Sequence, residues 1–564
     1  MLFFNRNYGK PDPTIAPTKI PCSGCGAHLH CTSTNIPGFI PSEKFKLYST
    51  EELRTQFCQR CDFLKRYNVA LSVIATEEDY PKLISEIKNK DSLVVMLIDL
   101  LDFPCSVWPG IINLIGENHK IYIVGNKVDL LPKDDDRFLE RIKHSMKLSL
   151  RSTGIDQNCN IRDVSLISAK TGHGIEGLVT KLLRDVKKNQ DIYLLGCTNS
   201  GKSTLFNALL QTDLCALREN DIISRATTSI WPGTTLNLLK FPVKKLTAWE
   251  IKMRTNRLNI FEKNDIYERK LKWTMHRQST DSMPYANLQS RIGSTFKKSP
   301  PIDLSEDHPF RKSQNFQPFN PDLDKFKDCS FFHDTPGALY KDQILNLLTT
   351  EELLRTIPRE IVTPRTFTLR PHQTLFLAGL GRLDVVHSRQ HVWLTVFASK
   401  YLPINIVYTE KAREFYQTYC GTDILSVPIG DFERLEQWPN LIPKEFTIKG
   451  IGWEKSSADI VLSNAGWISI TDSLDSECVI RAYTPQGRGI YFRDPPILPY
   501  AVNLKGKRIL NTPSFENKLY TVDQLVKGSY PRKFQRKNAS IYQDEGNKFI
   551  SEERIRKAKQ FMKE

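Results

Sequence analysis

Residues 194–207, LLGCTNSGKSTLFN, place a glycine-rich G-x-x-x-x-G-K-[ST] loop almost two hundred residues into the chain, between an apolar strand-like run and a helix-like one. Gly196 and Gly201 let the backbone wrap a phosphate chain, so that the amides of Asn199 to Thr204 (Ser200, Gly201, Lys202 and Ser203 between them) meet negative charge at a helix start. Lys202 would reach the β- and γ-phosphates, and Ser203 would ligate Mg²⁺. A loop of this kind commits the chain to a parallel sheet with the ligand at the carboxyl ends of its strands.

The partners of that loop lie on both sides of it. Downstream, HDTPG sets Asp334 and Gly337 at D-x-x-G spacing, the aspartate for the metal through water and the glycine amide for the γ-phosphate. Between them, WPGTT (231–235) offers a threonine hydroxyl to the metal, Thr235 first and Thr234 as the alternative. Upstream, VGNKVDLL (124–131) carries Asn126, Lys127 and Asp129 as N-K-x-D at a strand end. A carboxylate there accepts both N–H groups of a guanine edge, which adenine does not offer, and the lysine stem packs on the ring. Ser168, Ala169 and Lys170 follow the next strand, where a backbone amide meets the guanine O6. The base is guanine, so the ligands are GTP and GDP.

The order is therefore base, base, phosphate, switch, switch. In a parallel sheet the spatial order of strands need not follow the chain, and nearby termini make such exchanges tolerable. The sequence predicts a circularly permuted GTPase with Lys202, Thr235, Gly337 and Asn199 in the hydrolytic machinery. In Ras-like enzymes a glutamine after D-x-x-G orients the attacking water. Here that position is Ala338, so intrinsic hydrolysis should be slow. Asn199 occupies the place where potassium-activated GTPases keep an asparagine beside the phosphates, which predicts that K⁺ stimulates turnover over Na⁺.

At 564 residues, three to four domains are expected. The formal charge of +16 admits nucleic acid, an anionic membrane or a polyphosphate as partner. Five of the twelve cysteines fall in the first 61 residues. Among them Cys22-x-x-Cys25 and Cys58-x-x-Cys61, 32 residues apart, form a Cys₄ structural-zinc signature with no open position for water. No apolar run reaches membrane-spanning length. The N-terminal MLFFNRNYGKPDPT has the pattern of neither a secretory signal nor a transit peptide.

The fold class expected is α/β: a permuted P-loop GTPase domain with an N-terminal treble-clef-like zinc module and a C-terminal mixed, mostly β domain. The boundaries read as 1–75 for the zinc module, 76–345 for the GTPase domain, 346–525 for the β domain and 526–564 for a basic helical tail. Residues 244–328, with 17 Lys/Arg against 11 Asp/Glu and no sustained periodicity, read as a largely flexible insertion. The tail has 11 basic against 5 acidic residues, densest in PRKFQRK (531–537), and would contribute to RNA binding.

With CSGCG and CQRC near the start, DLLDFPCS (99–106) ahead of N-K-x-D, and GLGRLD and DIVLSNAGW late in the chain, the sequence resembles the YqeH-type permuted GTPases of the TRAFAC class. The resemblance covers nearly the whole chain. It implies GTP hydrolysis, binding to ribosomal RNA or the small ribosomal subunit, and a role in ribosome assembly. Resemblance to mitochondrial members implies the matrix, the mitochondrial small ribosomal subunit and mitochondrial translation. The alternative is a regulatory or scaffold GTPase held peripherally on the matrix face of the inner membrane, acting in respiration or apoptosis signalling. The 244–328 insertion departs from the compact bacterial relatives.

Overall fold

The computed structural model describes residues 9–517 except 35, 55, 68–83, 109, 117–118, 136, 153–159, 217–220, 223–238, 279–287, 297–316, 319–328 and 339. SLVVMLID and KIYIVGN form strands β1 (Ser92–Asp99) and β2 (Lys120–Asn126). Every residue of β1 is buried, as a strand covered on both faces by helices requires. Strands β3 (Asn160–Leu166), β4 (Asp191–Leu195), β5 (Leu239–Pro242) and β6 (Phe331–Asp334) complete a six-stranded sheet. Its order is β3-β2-β1-β4-β6-β5, parallel throughout except for the antiparallel β5–β6 pair.

This order explains how an exchanged chain builds one site. Strand β1 lies between β2, which carries N-K-x-D, and β4, which runs into the phosphate loop. Register aligns Asp99 with Asn126 across β1–β2, Met96 with Leu195 across β1–β4 and Leu194 with Asp334 across β4–β6. Base, phosphate and switch elements thus leave the sheet at the same edge. Helices α1 (Ile175–Asp185) and α2 (Lys202–Leu209) cover one face through Leu178, Leu182, Leu205 and Leu209.

The C-terminal region is two five-stranded antiparallel sheets, as the short β-rich runs predict. One contains Ile404–Tyr408, Gln373–Leu377, Gly381–His387, Glu477–Pro485 and Leu441–Lys449, in that spatial order. The other contains Ile490–Arg493, Ala458–Leu462, Trp467–Thr471, Val392–Phe397 and Arg365–Leu369. Leu377, Leu383, Leu394 and Ile480 belong to the core they enclose. A separate core joins this region to the GTPase sheet, with Phe103, Ala338 and Val362 against Phe397, Val461 and Trp467. Arg493 is buried there, donating from Nε to Asp459 at 2.9 Å and from Nη1 to the Phe103 carbonyl at 2.5 Å.

The insertion differs from expectation. Residues Ala248–Gln278 form a 31-residue helix, α3, and residues 288–296 return to pack on the GTPase domain. Periodicity misses the helix because its buried anchor is an arginine, Arg254, rather than an apolar stripe. A local signal was present: Thr247 and Glu250 form a capping box, the Thr247 hydroxyl accepting from the Glu250 amide and the carboxylate accepting from Thr247 N at 2.8 Å. The basic tail lies outside the described residues.

Candidate nucleotide site and metal centre

Asn126 ties the three loops together. Its Nδ2 donates to the Ser200 carbonyl at 2.7 Å, and its Oδ1 accepts from the Ala169 amide at 2.9 Å. A Cβ on Gly201, whose φ is +93°, would lie 2.4 Å from Asn126 Nδ2, so the contact between base and phosphate loops requires glycine. Lys127 sits in the left-handed region, and its Nζ reaches Asp99 Oδ2 at 2.6 Å. Asp129 is buried in the turn after β2, and no hydrogen bond engages its carboxylate among the described residues. Ser168 Oγ accepts from the Thr171 amide at 3.0 Å, closing the third loop, while the Lys170 side chain reaches the Arg359 carbonyl at 3.3 Å. The Ala169 amide, a natural donor to guanine O6, already serves Asn126 here; the Lys170 amide has no protein acceptor among the described residues.

The phosphate loop has the expected local form. Gly196 leaves β4, Asn199 adopts φ +60°, and Gly201 starts α2, in which Lys202, Ser203 and Thr204 form the first turn. Ser200 Oγ donates to the Cys197 carbonyl at 2.9 Å. Lys202 is buried, its Nζ donating to the Gly196 and Cys197 carbonyls at 2.9 Å each. Burial lowers its pKa to about 8, with Asp334 pulling the other way. A phosphate anion in this cradle would restore the ammonium.

Ser203 Oγ donates to Asp334 Oδ2 at 3.0 Å, which brings together two of the three residues expected to hold Mg²⁺. Both are hard oxygen donors, suited to that ion. Thr234 and Thr235 lie outside the described residues. A Cβ on Gly337 would be 2.9 Å from Thr198 Cα and 3.2 Å from Lys202 Nζ, placing this glycine at the lysine end of the phosphate loop.

Sequence reasoning missed how the switch is held. Ala338 is buried and bridged to the phosphate loop: its amide donates to Gly196 O at 3.1 Å, and its carbonyl accepts from Thr198 N at 2.9 Å. Thr198 Oγ1 donates to Gln343 Oε1 at 3.1 Å, and Gln343 Nε2 donates to Asp102 Oδ2 at 3.0 Å. Asn464, from the SNAGW turn, donates to the same oxygen at 2.5 Å. Ser463 Oγ donates to the Asp342 carbonyl at 3.0 Å, and the Tyr491 hydroxyl donates to the Asp342 carboxylate. Burial raises the Asp102 pKa to about 7, opposed by the Gln343 hydrogen bond. The switch segment is thus fastened to the phosphate loop at one end and to the C-terminal sheets at the other.

In the N-terminal module, the Sγ atoms of Cys22, Cys25, Cys58 and Cys61 all lie within 4.8 Å of one another and are buried. Cys25 and Cys58 are 3.7 Å apart, close to the edge of a tetrahedron with Zn–S bonds of about 2.3 Å. The Cys58 amide donates to Cys22 Sγ at 3.2 Å. Hydrogen bonding from the other three thiols holds Cys22 well below its ordinary pKa, while that from Cys22 pushes Cys25 well above. One cation between four sulfurs so placed would draw off the remaining protons and bind all four as thiolates, and the set fits zinc. His30 is turned away, its Nε2 against Pro37 O at 3.0 Å.

A family model described as "50S ribosome-binding GTPase" matches residues 191–253, from the phosphate strand β4 into the start of α3. The N-K-x-D strand precedes that match in the chain yet joins the same sheet edge. The chain is a GTP-hydrolysing enzyme of permuted order. A second model, "YqeH-like, C-terminal", matches residues 391–495. The chain is 36% identical over 559 residues to nitric oxide-associated protein 1 of Homo sapiens, covering 90% of this chain and 79% of the relative. It is 27% identical over 475 residues to the uncharacterized protein YqeH of Bacillus subtilis (strain 168), covering 84% of this chain and 98% of that protein. An Arabidopsis thaliana relative, "NO-associated protein 1, chloroplastic/mitochondrial", is 24% identical over 473 residues, 80% of this chain and 69% of its own. The chain belongs to the family of YqeH and nitric oxide-associated protein 1. The name of the Arabidopsis thaliana relative assigns that protein to organelles, chloroplast or mitochondrion. No helix among the described residues is long and apolar enough to cross a membrane.

Proposed function

We propose that the chain hydrolyses GTP in order to time its binding to ribosomal RNA or the small ribosomal subunit during assembly in the mitochondrial matrix, and so serves mitochondrial translation. The observation that carries this reading is the double fastening of the switch, Thr198–Gln343–Asp102–Asn464. Loss of the γ-phosphate contact at Gly337 would loosen a segment whose other end is bonded to the C-terminal sheets, so nucleotide state and partner surface share one strap. The net charge of +16 supplies attraction to a polyanion. The matched GTPase model is described by the 50S particle; preference for the small subunit rests on the resemblance to YqeH-type proteins.

In this account Asp129 selects guanine, Lys202 and the loop amides hold the β- and γ-phosphates, and Asn199 helps hold K⁺ beside them. Mg²⁺, held through Ser203, Asp334 and Thr235, would offset the phosphate charge. Ala338 leaves water orientation to a group supplied from elsewhere, so hydrolysis is slow until a cation or the ribosomal partner completes the site.

Sedimentation with mitochondrial small-subunit particles tests the reading. Binding is expected with a non-hydrolysable GTP analogue, weaker with GDP, and falling as salt rises. Equal binding in both nucleotides, or none in either, would overturn it.

A further inference from the structure

The insertion touches the base-reading loop directly. Thr171, next to Lys170, donates through Oγ1 to the Leu288 carbonyl at 2.5 Å, and its own carbonyl accepts from Ser290 N at 3.2 Å. Gly172 follows at φ +81°, where a Cβ would lie 2.4 Å from Ser290 O, so the two backbones are packed without room for a side chain. Asn126 therefore grips the inner side of this loop through the Ala169 amide, and residues 288–290 of the insertion brace its outer side.

The brace is itself anchored on two acids of the GTPase core. Glu176 lies in the first turn of α1, just past the base loop; Asp213 lies just past α2, whose start is the phosphate loop. Arg254 of α3, almost wholly buried, donates from Nη1 to Glu176 Oε2 at 2.7 Å and to Asp213 Oδ2 at 3.1 Å. Its Nη2 reaches Glu176 O at 2.9 Å and Thr180 Oγ1 at 3.1 Å. Arg257 adds bonds to both carboxylates at 3.1 Å. From the returning segment, Thr295 donates through its amide to Asp213 at 2.6 Å, and Gly293 N donates to Glu176 at 3.2 Å. Buried Asp213 and half-buried Glu176 would lose their charge partners without these arginines, so the docked insertion is part of the folded domain.

We infer that the insertion is a positioning element for guanine recognition: Arg254 locks α3 and residues 288–296 onto Glu176 and Asp213, and Thr171 transmits that support to the Ser168–Lys170 loop. This rests on the reading of that loop as the guanine contact. Among the described residues the brace bonds Thr171, Glu176 and Asp213 and no residue of 334–338, so its loss weakens nucleotide binding without slowing the chemical step.

The test uses the full chain with Thr171→Val and, separately, Arg254→Gln, titrated with GTP, GDP and inorganic triphosphate and assayed for hydrolysis. Both variants should bind GTP and GDP more weakly by the same factor, on the order of five- to tenfold. Triphosphate affinity and kcat at saturating GTP should be unchanged, and amide exchange across 166–172 should quicken. If Arg254→Gln does not fold, Thr171→Val, which deletes one hydroxyl contact, decides. Unchanged GTP and GDP affinity in folded Thr171→Val, or an equal loss for triphosphate, would overturn the proposal. Failure of the unaltered chain to bind guanine nucleotides would instead remove the guanine reading on which it rests.

Discussion

Gln343 and Asp102, 241 residues apart in sequence, meet in a buried 3.0 Å hydrogen bond. The pairing places a switch residue between the phosphate-loop hydroxyl of Thr198 and a carboxyl shared with Asn464 of the C-terminal sheets. Removing the amide should cut the strap while sparing the pocket. Gln343→Ala is expected to hydrolyse GTP within about threefold of the normal rate, yet to lose about fivefold or more of the difference between GTP- and GDP-dependent particle binding. Affinity measurements in both nucleotides check this; an unchanged ratio contradicts it.

Asp102 makes the same junction sensitive to pH. Its carboxyl titrates near 7 in the folded chain against 3.8 when exposed, mainly through burial. A raised acid contributes stability fully below its unfolded pKa and loses it as pH rises through the folded one. Stability of the native chain relative to Asp102→Asn should therefore decline between pH 3.8 and about 7, by at most roughly 4 kcal/mol. Paired thermal melts across that range supply the measurement, and a flat difference would refute it.

Much of this architecture is legible in the sequence, for identifiable reasons. Strands β1 and β2 coincide with uninterrupted apolar runs, which only a doubly covered parallel strand accommodates. The motif spacing singles out Asn126, Asp129 and Asp334 because each lies at or just past a strand end, and Ser203 because it opens the helix after the phosphate loop. What stays hidden depends on tertiary pairing. DLLDF and SNAGW are visible as motifs of resemblance, but the contact between Asp102 and Asn464 has no local signature. The insertion helix escapes sequence reading because Arg254 satisfies acids contributed by distant elements.

The potassium expectation concerns Asn199, which adopts a left-handed backbone conformation within the phosphate loop. Turnover in K⁺ should exceed that in Na⁺ by on the order of tenfold. Asn199→Ala should abolish the difference. Initial rates in the two salts at matched ionic strength measure both, and equal rates in the native chain would end the idea.

The cysteine cluster should hold one zinc per chain. Because its ligands must be thiolates, acidification should release the metal, and Cys25→Ser should lower both zinc content and the resistance of the N-terminal module to proteolysis. Metal analysis of the purified chain checks the count; full zinc occupancy in the variant would contradict the assignment.

Two segments joined in exchanged order make one guanine-selective pocket, and Asp129 tests that claim most directly. A carboxylate accepts the N1 and exocyclic N–H groups of guanine; an asparagine amide offers a donor that suits the 2-oxo group of xanthine instead. Calorimetric titration of the native chain and Asp129→Asn with GTP, XTP and ATP should show GTP preferred by the first, XTP by the second and ATP by neither. ATP binding as tight as GTP by the native chain, or GTP affinity untouched by the substitution, would contradict the account.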